Sequence, residues 1–194
     1  MRNNGSNGIA IGIVSNLEDP EGLGRVLLTY PLLEDQESQW ARLAVPMAGP
    51  DRGTFFRPEV DDEVLVAFEH GDVRRPYILG SLWSTTDQPP ADDGNAKENN
   101  WRFIKSRSGH VIKFNDTQGS ETIEIIDKNE KHKIIIDSAN EKIQIICDSG
   151  DIELTASAGK FKVDASEVEI KASGSMKLEA SGQNSIKGAT VNIN

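Results

Sequence analysis

From Ile123 to the end of the chain, apolar side chains fall in alternating pairs at a nearly regular interval: Ile123/Ile125, Ile134/Ile136, Ile143/Ile145, Ile152/Leu154, Phe161/Val163, Val168/Ile170, Met176/Leu178 and Val191/Ile193. The interval is close to constant from Ile123 through Met176, and Ile186 fills the longer gap before Val191. Within a unit such as Asp151-Ile152-Glu153-Leu154-Thr155 the order is polar, apolar, polar, apolar, polar. That is the period of a strand of about five residues with one wet face. Between units stand Ser149-Gly150, Ala158-Gly159, Ser173-Gly174 and Ser181-Gly182, residues that turn a chain tightly. The pattern predicts nine or ten short strands in succession, each turning straight into the next, with every paired apolar residue on one face.

The first part of the chain follows another rule. From Ile9 to Trp83, short apolar runs are separated by turn residues, with no helical stripe at i, i+3, i+4, i+7. Ile9 to Val14, Arg25 to Tyr30, Trp40 to Met47, Glu63 to Glu69 and Tyr77 to Gly80 read as roughly five strands, with Asp19-Pro20-Glu21-Gly22 and Gly71-Asp72 as turns. An open sheet of this size leaves two adhesive edges, so a small closed or partly closed barrel is expected. Ser84 to Asn100 holds Pro89-Pro90 and Asp92-Asp93-Gly94 and almost nothing apolar, and reads as a connection. The expected organisation is an N-terminal extension over 1–8, a barrel over 9–84, a linker over 85–100 and the repeat over 101–194.

Composition agrees with a chain that does not bury its whole apolar surface alone. The 194 residues are 37% apolar and 6% aromatic, thin for one large monomeric core. The net charge of -10 makes an electrostatic grip on nucleic acid or an anionic membrane a poor first reading. Charge is also unevenly spread, with 8 basic and 17 acidic residues in 1–100 against 13 and 14 in 101–194. A single cysteine, Cys147, leaves no internal disulfide framework. The polar start, Met1 to Gly8, has no apolar h-region, and no stretch of 18 apolar residues occurs, so export by a visible signal peptide is not expected.

A flat meander of this length exposes a complete apolar face, which a soluble protein of this size rarely tolerates. Three identical faces solve the problem by closing into a triangular prism, each chain supplying one wall. At about 4.8 Å between neighbouring strands, nine to ten layers make a needle roughly 40 to 50 Å long. The side chains expected on its axis are Ile123, Ile125, Ile134, Ile136, Ile143, Ile145, Ile152, Leu154, Phe161, Val163, Val168, Ile170, Met176 and Leu178.

Local phrases add a resemblance. Gly24-Arg25-Val26, Trp40-Ala41-Arg42, Pro46-Met47-Ala48-Gly49 with Gly53, Pro58-Glu59-Val60-Asp61-Asp62-Glu63-Val64-Leu65-Val66, Gly71-Asp72 and Arg75-Pro76-Tyr77-Ile78-Leu79-Gly80 together resemble the OB-fold domain of the phage baseplate assembly protein V and VgrG spike family. Asp61 departs from the glycine common there; if that position needs φ > 0, aspartate tolerates it better than most residues. Ser108-Gly109-His110-Val111-Ile112-Lys113-Phe114-Asn115-Asp116 with Gly119 is similar to the start of the family's triple-stranded β-helix, and Ala189-Thr190-Val191-Asn192-Ile193-Asn194 to its blunt tips. The resemblance implies an all-β protein, an OB-fold barrel followed by a β-helix needle formed by three chains. It implies a homotrimeric central spike of a contractile injection system or phage tail baseplate, assembled in the cytoplasm and driven through a target envelope when the sheath contracts. The implied partners are a separate hub protein at the barrel end, since only about eight residues precede the barrel, other baseplate proteins, and a PAAR-type tip protein on Val191, Asn192, Ile193 and Asn194. The membrane is contacted only in passing, and neither nucleic acid nor a cofactor is expected. The linker is too short for the lysozyme-like domain of some relatives, and no His-x-His pair near the end suggests a metal tip.

Other candidates for chemistry have plainer readings. Asp61-Asp62-Glu63 is a solvated turn rather than a cation site or a catalytic pair. His110 and His132 lack a second ligand at metal spacing, and Cys147 lacks a Cys-His-Asn arrangement. Arg74-Arg75 reads as solvated, with an ion pair or a subunit contact as the other option. No catalytic, cofactor or metal residue is expected, and the protein is not expected to be an enzyme. The alternative is an OB-fold module binding oligosaccharide or single-stranded nucleic acid on a repeat stalk, which calls for exposed aromatic platforms among Tyr30, Trp40, Phe55, Phe56, Phe68, Tyr77 and Trp83. A polysaccharide lyase or tail lysozyme ranks third, because strands of about five residues build no deep groove.

Overall fold

The computed structural model describes residues 8–192 and is all-β apart from two single-turn 3-10 segments. Ile193 and Asn194, expected at the tip, lie outside the described residues. The chain divides into two compact units, one through Asp148 and one from Ser149 onward.

The first unit opens with a curled six-stranded sheet. Its long members are β1 (Ile9–Asn16), β2 (Leu27–Tyr30), β7 (Glu63–Phe68) and β8 (Pro76–Ser81), with two-residue strands β3 (Gln36–Glu37) and β4 (Arg42–Leu43) at its edges, in the order β3-β2-β1-β7-β8-β4. All pairings are antiparallel except β4 with β8. A bridge between Val26 and Ala41, with backbone bonds of 2.9 and 2.7 Å, joins the β2 side of the sheet to the β4 side. The sheet thereby curls into a partly closed barrel, as the edge argument requires. Two short strands form a separate hairpin, β5 (Ala48–Gly49) with β6 (Arg52–Gly53), on the long excursion between β4 and β7. The run from Trp40 to Met47 is therefore one bridge and two paired residues rather than a full strand, because the chain leaves the sheet after Ala44 bonds to the Ile78 carbonyl.

Barrel curvature decides which side of each strand is inside. The core comprises Val14, Val26, Leu28, Tyr30, Ala41, Val64, Val66 and Ile78. In β1 the inward residues are Ala10, Gly12 and Val14, while Ile9, Ile11 and Ile13 face outward. The reason is space: a Cβ on Gly12 would lie 3.2 Å from both Leu28 Cδ1 and Val66 Cγ2, tighter than ordinary van der Waals contact. Buried Ser38 ties the edge down, its Oγ accepting from the Leu28 amide (3.0 Å) and donating to the Gln39 carbonyl (2.7 Å). Asp61 has φ 74° between the end of β1 and the start of β7, the left-handed conformation that aspartate tolerates.

Residues 82–100 contain no strand, and 85–99 are exposed throughout. A five-stranded antiparallel meander follows, β9 (Trp101–Lys105), β10 (Val111–Asn115), β11 (Thr122–Ile126), β12 (His132–Asp137) and β13 (Lys142–Cys147), each strand beside its sequence neighbour. The second unit, described through residue 192, holds no strand and is exposed at every position. The strands expected around Ile152/Leu154 and beyond are not formed within one chain.

Candidate functional site

Cross-strand register places the paired apolar residues of the meander on one face. Ile104 lies opposite Ile112, Ile112 opposite Ile125, Phe114 opposite Ile123, Ile123 opposite Ile136, Ile125 opposite Ile134, Ile134 opposite Ile145, and Ile136 opposite Ile143. The result is nine large apolar side chains in two rows across five strands, and all of them are exposed, from 39% for Ile123 to 71% for Ile143. Burying the rest of each is worth about 1 kcal/mol or somewhat more, so the face forgoes roughly 10 kcal/mol per chain while it stands in water.

The opposite face is the better covered of the two, although it is the more polar. Lys113 and Glu124 pair at 3.0 Å with only 15% of each side chain exposed, and the Lys113 ammonium sits 4.3 Å from the centre of the Trp101 ring. Long charged side chains lie flat over neighbouring strands and shield one another, which isoleucine is too short to do. The meander thus satisfies its outer face from its own side chains and leaves its apolar face without a partner in the chain.

Its turns are closed by aspartates. Asp127 accepts the amides of Asn129, Lys131 and His132 at 2.8–3.1 Å, and these bonds hold its carboxyl below the usual range. Asp137 is lowered in the same sense by the Asn140 side chain and amide. His110 Nδ1 accepts the Lys128 amide at 3.2 Å, which makes it part of a turn. His132 lies at the start of β12, and Cys147 ends β13, half-buried. Among the described residues, no three His, Cys, Asp or Glu side chains are grouped to hold a metal ion. Asp62 accepts the Glu59 amide at 2.8 Å, a turn role. Arg74 and Arg75 take the ion-pair option, with Asp72 (2.8 Å) and Glu69 (3.1 Å); the Arg74 contact lowers the Asp72 carboxyl to about 2.

Six of the predicted axial residues, Ile123, Ile125, Ile134, Ile136, Ile143 and Ile145, are brought onto this face by the strand pairing. The remaining eight, Ile152, Leu154, Phe161, Val163, Val168, Ile170, Met176 and Leu178, are 55–72% exposed in the second unit and are not gathered into a sheet. Their polar neighbours do pair at i, i+2, Lys162 with Asp164 (2.5 Å), Lys171 with Glu169 (3.4 Å) and Lys177 with Glu179 (2.6 Å). Such pairs require both side chains on one side of a locally extended backbone. Val191 is 49% exposed and Asn192 is also exposed. Three members of the face, Ile104, Ile112 and Phe114, lie within the predicted repeat region but are not among the residues expected on its axis. The signal for two of them is present in the sequence: Ile112/Phe114 precedes Ile123/Ile125 by the same interval that separates Ile123 from Ile134.

A small β-barrel followed by a β-meander marks an all-β protein whose most prominent surface is a bare apolar face. Comparison with known proteins narrows the class. Residues 10–83 match the family described as the type VI secretion system/phage-baseplate injector OB domain. The chain is 29% identical over 97 residues to the type VI secretion system spike protein VgrG1a of Pseudomonas aeruginosa, a match covering 47% of this chain and 15% of that protein. It is 29% identical over 111 residues to the spike protein VgrG3 of Vibrio cholerae, covering 53% and 11%, and 28% identical over 110 residues to the actin cross-linking toxin VgrG1 of Vibrio cholerae, covering 53% and 10%. The chain thus spans only a small part of the length of these relatives. Residues 10–83 thus match the injector OB-domain family, and about half of the chain is similar to VgrG spike proteins. Among the described residues, no helix is long and apolar enough to cross a membrane.

Proposed function

We propose that the protein is the central spike of a contractile injection system or phage tail baseplate and works as a homotrimer without covalent chemistry. The barrel over 9–84 seats the spike on a hub protein, 85–100 is the linker, and 101–194 winds with two other chains into a β-helical needle. The end of the needle, Val191, Asn192, Ile193 and Asn194, carries a tip protein of the PAAR type. Assembly in the cytoplasm into a baseplate, delivery to a target envelope and transient contact with its membrane follow from that role.

The observation that carries this reading is the bare apolar face of β9–β13, continued by alternating pairs that make no sheet alone. Burying it in a shared axis supplies the missing partner with one symmetry operation, and the same operation gives residues 149–192 the neighbouring strands that one chain does not provide. A needle so built is stiff because its layers are hydrogen-bonded along the axis, and it transmits axial force. Light scattering tests this reading: the mass expected is three times the 21.2 kDa of one chain, and it is expected to persist after brief SDS treatment without heating. A folded particle of 21.2 kDa would refute it.

A further inference from the structure

The barrel has a concave surface of its own, apart from the apolar face of the meander. The loop between β1 and β2 and the β5–β6 hairpin enclose a groove of about 1080 Å³. Its walls carry Leu23, Met47, Phe55 and Phe56, all more than half exposed, and four arginines, Arg25, Arg42, Arg52 and Arg57, against a single acid, Asp51. In a half of the chain with 8 basic and 17 acidic residues, so many arginines on one concave surface are a local reversal of charge. Two of them are committed. Arg25 pairs with Asp19 at 2.7 Å, and Arg57 donates to the Leu17 carbonyl. Arg42 stacks on Tyr77 with its guanidinium 5.6 Å from the ring centre, and neither Arg42 nor Arg52 forms an ion pair with a described residue.

The same chain contains a segment of opposite character. The linker reads Asp87-Gln88-Pro89-Pro90-Ala91-Asp92-Asp93, exposed along its whole length, and its three aspartates likewise have no ion pair among the described residues. Prolines favour an extended left-handed helix that docks on aromatic side chains at little entropic cost, and carboxylates match guanidinium forks. From the end of β8 at Ser81 to Asp87 the extended chain reaches roughly 20 Å, enough to cross to an abutting barrel. The linker leaves β8 at the end of the barrel where the groove lies: β4 runs parallel to β8, and the excursion carrying the hairpin begins where β4 ends.

We infer that in the trimer the segment Asp87–Asp93 of one chain lies in the Arg42/Arg52/Phe55/Phe56 groove of the neighbouring chain, strapping adjacent barrels together. The inference rests on the trimeric reading above. Tethering keeps the segment at millimolar effective concentration beside the neighbouring groove, so modest contacts suffice to hold it. Its consequence is a collar of three straps around the top of the needle, fixing the barrels that face the hub.

The test uses the full-length chain with Cys147→Ser and two new cysteines, Arg52→Cys and Asp92→Cys. Mild oxidation followed by boiling in SDS without reductant is expected to give covalent dimers and trimers. A particle of three chain masses that yields no cross-link, or only a disulfide within one chain, overturns the strap and leaves the trimer standing; a particle of 21.2 kDa overturns both. A second test keeps Cys147 and adds no cysteine. Arg42→Glu with Arg52→Glu alters only exposed side chains and is expected to raise the rate of cleavage at Lys97 by a lysine-specific protease at least several-fold, with Asp92→Arg plus Asp93→Arg restoring protection. An unchanged cleavage rate sinks the strap, as does saturable binding of a fluorescent oligothymidylate to the wild-type groove, which would give that surface to a nucleic acid.

Discussion

The barrel and the meander are made of the same material, short strands with apolar and polar positions in alternation, yet they end in opposite conditions. In the barrel, six strands curl until Val26 meets Ala41, and Val14, Leu28, Val64, Val66 and Ile78 vanish from solvent. In the meander, five strands stay in sequence order, and nine isoleucine and phenylalanine side chains on one face remain in water. The difference lies in what closes the sheet. In the barrel the stretch from Ser38 to Ala41 carries the chain from β3 at one edge to β4 at the other and bridges Val26 on the way; tight turns such as Asp127 to Lys131 return each strand directly beside the last and bring nothing over the face. One region finishes its core within the chain, and the other leaves an apolar face without a partner in the chain.

Substitutions aimed at one region or the other put this contrast to the test. The largest effect is expected from Ile143→Asp combined with Ile145→Asp, which sets charges on the proposed shared axis, where desolvation is costly. Light scattering should then read 21.2 kDa in place of three times that mass, while the barrel keeps its own thermal transition. Leu28→Ala acts on the other side: a fully buried leucine truncated in a small core costs about 2–5 kcal/mol. Its barrel transition should fall steeply in a melting experiment while the detergent-resistant mass persists. Loss of the trimer in this variant would mean that the two regions are not independent.

Smaller effects probe the details. Gly53 has φ 154°, and a Cβ there would lie 2.6 Å from the Met47 carbonyl oxygen, so Gly53→Ala is expected to cost about 1–3 kcal/mol. The damage should be confined to the β5–β6 hairpin, visible as faster hydrogen exchange around Ala48 to Thr54. The mildest change is Asp19→Asn. The Asp19 carboxylate receives two bonds from the Arg25 side chain (3.0 and 2.7 Å) and the amides of Glu21, Leu23 and Arg25. The Arg25 guanidinium foremost holds it far below the ordinary 3.8. A lowered carboxyl contributes stability that is fully present above its unfolded value and is lost as pH falls through its folded value. The wild-type barrel should therefore lose stability on acidification below about pH 4. Asp19→Asn should melt lower at pH 7 and show a shallower acid limb; equal slopes would assign the acid sensitivity to other carboxylates.

Much of this architecture is legible in the sequence. The alternation at Ile123/Ile125, Ile134/Ile136 and Ile143/Ile145 marks strands and their common face, because side chains two apart on a strand must point the same way. The barrel phrases carry the family resemblance through short-range turn chemistry at Gly24, Asp61 and Gly71, each at positive φ in the fold. The hairpin at Ala48 to Gly53 is not legible, since two-residue strands carry no periodicity. Ile104 is equally hidden, because its strand, Trp101–Lys105, holds no second isoleucine two positions away to mark a pair.

Local sequence thus settles which residues extend, where the chain turns, and that the apolar face of the repeat must meet something. Tertiary structure alone decides the rest. Curvature turns Ala10, Gly12 and Val14 inward and Ile9, Ile11 and Ile13 outward in β1, against what hydrophobicity by itself suggests, because Leu28 and Val66 already fill the inside at Gly12 and leave no room there for a larger side chain. It also brings Leu23 and Arg25 of the β1–β2 loop together with Arg42, Arg52, Phe55 and Phe56 in one groove. Periodicity is a property of neighbours in sequence; closure and concavity depend on residues far apart in the chain, and no local pattern encodes them.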